Sequence, residues 1–476
     1  MSEVSRRAHP LLTHWRQPLL TAVGMSVVVG LLALVDPQPG PLVLAAVLAM
    51  TISRNKLVTT WRGRAEAVVL LPFVGLATAG VGFLFVSLPI VGAVAYVAAM
   101  FLSVFLRRFG PLWTRVGSLI ALPFITLLIT PGAGAATPPL DVALLSVGVL
   151  VTVVLLRLVA EVTGFVPRAA TTPPPTTVPP TTVPPTGPRL PVSTRMAIQM
   201  AIALAAAFVV GALVFPQHVT WVVLTAFIVF SGNRGRADVL YKSGLRIVGA
   251  AIGTIVASVS VVLLAPTHTF LQGPTLVVIL LVILALGLWL REWTYAAWAV
   301  VMTLVIGLLQ TTTIHVGAGT SGDQLWIRIL AIIVGAACGL AASWFVLPVR
   351  SEGVVRRRVA DALAALSEYA TTRTPAADHD LAEALDKLDE VAAPWNALER
   401  VTGWRNTTRK PARQPGQWMH LTHECAGLVK AKPQLTAAAR RALGEARRAM
   451  RDPDAIGERL LALRDELQAK PYQPSP

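Results

Sequence analysis

Arg234, Arg236, Lys242 and Arg246 stand against one acid, Asp238, in the stretch SGNRGRADVLYKSGLR (231–246). VTWVVLTAFIVF precedes it and IVGAAIGTIVASVSVVLLA follows, and both flanks are almost wholly apolar. Cations at the edge of such segments can do two kinds of work. They can hold that edge at a membrane–water boundary, or a guanidinium can grip a carboxylate through paired N–H donors. Asn233, beside Arg234, adds an amide to the same cluster. Other chemistry is scarce. The chain has no glycine loop ending in Gly-Lys-Ser/Thr and no HExxH, so neither its own ATPase nor a zinc protease is encoded. Cys338 lies in an apolar run and Cys425 in the polar C-terminal region, which supports neither a disulfide framework nor a zinc set. The acidic pairs DHD (378–380) and DPD (452–454) read as helix-start and turn residues rather than as a metal centre. No catalytic residue, metal or cofactor is expected, and the chain is not read as an enzyme.

The elements that must position these cations are apolar helices. Of 476 residues, 54% are hydrophobic and only 14% charged, and the mean hydropathy is +0.64. A soluble domain carries about a quarter charged residues, so this chain lacks the polar surface to be soluble throughout. Apolar runs fall near 18–36, 40–53, 67–87, 88–106, 116–133 and 141–160, and again near 196–215, 219–232, 247–265, 274–290, 294–312 and 325–347. The expected fold is therefore an all-α polytopic membrane protein with about twelve transmembrane helices. The junction between 67–87 and 88–106 is only LPI. With the N-terminus inside, every Lys and Arg up to residue 349 except Arg328 falls on the cytoplasmic side. Loops such as TPGAGAATPPLD and FPQHVT on the other side have none, which is the positive-inside pattern. It also explains a formal charge of +16 without nucleic acid. The start SRRAHPLLTHWR has no cleavage site after its apolar run and reads as an uncleaved first span.

The chain divides into a first six-helix module (1–165), a Pro/Thr-rich cytoplasmic linker (166–192), a second six-helix module (193–349) and a cytoplasmic α-helical domain (350–476). The linker carries TTPPP, TTVPP and TTVPP in tandem, an extended polyproline spacer. In both halves a short second run ends in a cation, Arg54 and Arg234, and a further basic pair follows, Arg62 with Arg64 and Lys242 with Arg246. Six spans per half give both the same orientation, so the repeats are parallel and a substrate path is expected between them. Those second runs have ~13–14 apolar residues, against the roughly 20 that a spanning helix needs; either they mark a transport site, or DPQPGP and FPQH complete them at the outer interface. Beyond residue 350 apolar residues recur three and four apart, as in amphipathic helices of a C-terminal cytoplasmic bundle.

Within the apolar runs Gln199, Thr225 and Gln310 can line a path, although such side chains also serve as interhelical glue. Arg328, five residues after Asp323, is a candidate exterior cation. Gly249 and Gly253, like Gly335 and Gly339, are spaced for close helix packing. No Asp or Glu falls in the middle of a run, so proton coupling has no obvious carrier residue.

Residues 195–265 resemble the second membrane module of FUSC (fusaric acid resistance-like) proteins, relatives of the aromatic acid exporters. The resemblance rests on Arg195, Trp221 opening a short span, Arg234 with Arg236, and Arg246-Ile-Val-Gly249-Ala250-Ala-Ile-Gly253, where Ala250 replaces the usual Thr. The resemblance implies export of aromatic carboxylates and similar organic anions from the bacterial inner (plasma) membrane. It makes Arg234, Arg236, Arg246, Arg54, Arg64, Trp221 and Asn233 candidate substrate-binding residues, and Gln199, Thr225, Gln310 and Arg328 candidates for the path. Two alternatives remain: an anion channel driven by membrane potential, and a membrane scaffold whose tail holds a partner in envelope assembly. Expected partners are membrane lipids, the anion, a second copy of the chain and a cytoplasmic protein on 350–476; nucleic acid is not expected.

Overall fold

A computed structural model describes residues 15–35, 39–54, 61–129, 139–166, 191–231, 235–264, 273–291, 294–313, 321–347, 351–402 and 414–469. Among these, all regular structure is helical. The helices before the linker are α1 (Arg16–Ala33), α2 (Pro39–Arg54), α3 (Trp61–Ser87), α4 (Pro89–Phe105), α5 (Pro111–Ile129) and α6 (Pro139–Val162), with a 3₁₀ turn at Leu106–Phe109. After it come α7 (Val192–Val214), α8 (Val219–Phe230), α9 (Arg236–Leu264), α10 (Gly273–Leu290), α11 (Tyr295–Thr313) and α12 (Ser321–Phe345). The C-terminal helices are α13 (Ser351–Thr372), α14 (Pro375–Thr402), α15 (Pro415–Ala431), α16 (Ala437–Ala449) and α17 (Ile456–Gln468).

Each apolar run of the sequence lies on a helix. Seven of these helices, within α1, α3, α4, α6, α7, α9 and α12, are long and apolar enough to cross a membrane. Their outward faces carry large apolar side chains, with Phe73 68%, Ile90 81% and Leu213 78% exposed. A water-soluble surface rarely carries so much contiguous apolar area; a bilayer accepts it. The LPI junction is a true break. Leu88 leaves helical geometry (φ −140°, ψ 75°), and Pro89, with its fixed φ and no N–H to satisfy, opens α4.

Helix α8 is short: its 12 residues rise about 18 Å, too little to cross a bilayer alone. FPQH does not lengthen it, because Phe215 caps α7 and His218 precedes α8 outside the helix. Trp221, Val222, Val223, Leu224, Thr225, Ala226, Phe227, Val229 and Phe230 are all buried. A helix that is apolar on all sides must be surrounded by other helices, and α8 packs against α7 and α12.

The chain forms two compact units. In the larger, the two halves share a core: Tyr96, Met100 and Val104 of α4 and Phe124 of α5 meet Ala197, Met200, Ala203 and Ala207 of α7. Where the sequence leads one to expect a route between halves, these residues are close-packed. In the first half Glu161 of α6 receives Arg64 of α3 at 3.2 Å and Arg157 at 3.0 Å.

The second unit contains the C-terminal helices and also 235–242, which the sequence divides off with the second membrane module. Its core follows the four- and three-residue spacing of its helices: Val355, Val359, Leu363 and Leu366 on α13, Leu460, Leu463 and Leu467 on α17, with Trp418 and Cys425 of α15 between. Burial pushes the Cys425 thiol up to about 12, which keeps it protonated and unreactive near neutrality. The acidic pairs do structural work. Asp378 lies in the first turn of α14, where an acid complements the helix dipole, and meets Lys430 at 2.6 Å. Asp452 Oδ1 accepts from the Asp454 N–H in a turn.

Candidate anion site

Helix α11 presents Ala299, Thr303 and Gly307 four residues apart, hence on one face. Helix α9 lies against that face because its glycines allow backbone contact. A Cβ at Gly249 would stand 2.7 Å from the Ala299 Cβ, and one at Gly253 would stand 2.5 Å from the Val300 carbonyl oxygen. Thr303 donates its hydroxyl to the Ala299 carbonyl at 2.9 Å. Its remaining lone pairs face α9, where Arg246 Nη1 donates to Thr303 Oγ1 at 3.3 Å.

Arg246 is 1% exposed, and its Nε and Nη2 have no hydrogen-bond partner among the described residues. The effective penalty of burying an ion is several kcal/mol, whereas a hydrogen bond to a charged group returns about 1.5–3 kcal/mol. Thr303 alone therefore does not offset the burial. A second guanidinium approaches the same face from α12. Arg328 Nη1 comes within 3.9 Å of a Cβ built at Gly307, and its Nε also has no partner among the described residues. Thr303 and Gly307 are separated by about 6 Å of helix rise. The arrangement is two arginines on one face of α11, Arg246 at Thr303 and Arg328 near Gly307, with donors unmatched by any described carboxylate. Such a set suits a carboxylate, which takes paired N–H donors on both oxygens.

The other sequence-derived candidates are dispersed. Trp221 is buried, and the Arg328 guanidinium lies 5.5 Å from its ring centroid, a cation–π contact that ties α12 to α8. Thr225 is fully buried on α8, against the face where α12 brings Gly335. Gln199 is glue: its amide nitrogen donates to the Val346 carbonyl at 2.6 Å and to Leu347 at 3.2 Å, capping the C-terminal end of α12. Arg64 is engaged by Glu161. Arg236 lies in the second unit rather than beside Arg246. Asn233 and Arg234 fall outside the described residues, as do the side chains of Arg54, Gln310 and Asp323. Gly249, Gly253, Gly335 and Gly339 all sit at helix contacts.

Sequence reasoning did not single out Tyr96. It is fully buried, its ring centroid lies 5.9 Å from Phe85 and Phe208 and 6.0 Å from Phe124, and its hydroxyl has no partner among the described residues. A lone Tyr in YVAAM gives no sign of this; only the packing of α4 on α7 does. An unmatched buried hydroxyl is destabilising, so Tyr96→Phe should stabilise the protein by about 1 kcal/mol, read as a higher unfolding temperature in detergent.

Residues 197–342 match the family model described as fusaric acid resistance protein-like. No curated protein matches the chain. The matched segment runs from α7 into α12 and includes Arg246, Thr303 and Arg328, so over these residues the chain is similar to fusaric acid resistance protein-like domains.

Proposed function

We propose that the protein exports organic anions, aromatic carboxylates and related amphipathic compounds, across the bacterial inner membrane. The observation that carries this reading is the approach of Arg246 and Arg328 to one face of α11. A carboxylate between them would restore charge balance in a low-dielectric site, where fixed donors are worth more than in water. Its apolar body would meet the apolar side chains that surround these helices. In this reading the twelve helices α1–α12 form two parallel six-helix repeats with both termini cytoplasmic, and the inner-side arginines raise the local anion concentration. No catalytic step is involved. The anion and the surrounding lipids are the chain's partners, and a second copy or a protein bound to 350–476 is compatible with it.

The absence of a mid-span carboxylate favours flux that follows membrane potential over proton antiport. Purified protein in liposomes loaded with labelled benzoate, with a potential and a proton gradient imposed separately, tests this. Efflux driven by potential alone is the expected result. A requirement for the proton gradient would rule out the conduit form, and no benzoate efflux under either gradient would rule out the transport of aromatic carboxylates.

A further inference from the structure

We infer that the turn between α4 and α5 holds the headgroup of an anionic phospholipid, with Arg107 and Arg108 on its phosphate and the neighbouring exposed apolar side chains against its acyl chains. Residues Pro89–Phe109 are long and apolar enough to cross a membrane. Their 21 residues rise about 32 Å, and the hydrocarbon core of a bilayer is about 30 Å thick. The 3₁₀ turn Leu106–Phe109 at their end therefore falls at headgroup depth. Gly110 then turns the chain into α5 at φ 112°, a conformation that favours glycine. The side chains around this turn form one continuous surface. Phe101, Phe105, Phe109 and Trp113 recur every four residues and touch in series, with ring centroids 5.3, 5.8 and 6.4 Å apart. Phe109, Leu112 and Trp113 are exposed. The Arg108 guanidinium lies 5.0 Å from the centroids of both Phe105 and Phe109.

Two cations at a membrane edge are accounted for by topology alone; a guanidinium set against two rings beside a second one with an unspent donor is not. Neither Arg107 nor Arg108 meets a carboxylate among the described residues, and the Arg107 Nε, shut off from the surface, has no hydrogen-bond partner among them. Arg115 differs, since it meets Glu66 at 3.8 Å. A phosphodiester accepts readily from guanidinium donors. A zwitterionic headgroup carries the same phosphate but adds an ammonium, which two arginines repel. The ring faces that could receive that ammonium are taken by Arg108. The surface therefore selects a lipid of net negative charge. Free phosphate would satisfy the arginines but leave Phe109, Leu112 and Trp113 uncovered. A lipid covers both, as basic and aromatic side chains at headgroup level do elsewhere.

The test is native mass spectrometry of the full chain purified in detergent, with phosphatidylglycerol and phosphatidylcholine added at equal concentration. The wild type should retain phosphatidylglycerol about tenfold better than phosphatidylcholine, the value of one charge-assisted hydrogen bond. The Arg107→Gln, Arg108→Gln double variant should retain both lipids equally. Arg115→Gln, which removes a cation already paired with Glu66, should match the wild type. Inorganic phosphate at the lipid concentration should leave the bound phosphatidylglycerol in place. Equal retention of the two lipids by the wild type, full retention of phosphatidylglycerol by the double variant, or an equal loss in Arg115→Gln would overturn the proposal. Displacement by inorganic phosphate would make the ligand a free anion and overturn the lipid assignment. If the double variant does not fold, Arg108→Gln, whose side chain is exposed, takes its place. A loss of about threefold is then expected, and no loss would sink the idea.

Discussion

Arg246→Met unfolds at a higher temperature than the wild type, yet moves organic anions at least about a hundredfold more slowly: that is the expected result. Both halves follow from one feature. Arg246 is sealed among helices with one hydrogen bond among the described residues, at 3.3 Å to Thr303, and exchanging a poorly matched buried charge for an apolar side chain of similar length is commonly neutral or stabilising by about 1–4 kcal/mol. The same change removes a desolvated cation from a bound carboxylate. Truncating one side of such a pair costs about 2–5 kcal/mol, and a hundredfold loss in rate is about 2.7 kcal/mol. Arg246→Lys should fall between, since it keeps the charge without the planar fork. Thermal unfolding in detergent and efflux from liposomes are measured on the same preparation. A stabilised variant with full efflux would leave Arg246 a structural oddity rather than a binding group.

Gly335→Val should fail to give folded protein, while Gly339→Ala, one turn along α12, should fold and melt near the wild type. At Gly335 the first added carbon would collide with the Val222 carbonyl oxygen of α8 and stand 3.0 Å from Thr225 Cβ. Backbone does not yield as a flexible side chain does, so the clash separates α8 from α12 and costs about 3 kcal/mol or more. At Gly339 the nearest atom is Val229 Cγ1 at 3.4 Å, within ordinary contact. Folded yield by size-exclusion chromatography distinguishes the two. Equal yields would mean that α8 and α12 are not in backbone contact.

The helices were legible because a bilayer demands long apolar runs, and few other sequences have them. Short α8 was legible as one of two readings, from the twelve-residue run VTWVVLTAFIVF between FPQH and the basic stretch. What covers it was not: burial on every side depends on α7 and α12, which sequence periodicity cannot place. The candidate site was half visible. Arg246 and Arg328 each stood out as cations near apolar runs, but 82 positions separate them, and only the packing of α9 and α12 about α11 brings them to one face. Arg64 stood out equally and belongs with Glu161. Charge alone cannot tell a matched arginine from one without a carboxylate among the described residues. Residues 235–242 cluster with the C-terminal helices although α9 reads as one continuous helix, a grouping that periodicity does not reveal.

The Arg64–Glu161–Arg157 cluster also bears on how such a protein would cycle. A carboxylate held at 3.0–3.2 Å by two cations with side chains no more than 12% exposed pins α3 to α6. Those two helices then travel as a single body at that end. Rocking that uncovers and reseals the cargo could therefore not open between α3 and α6 at that end.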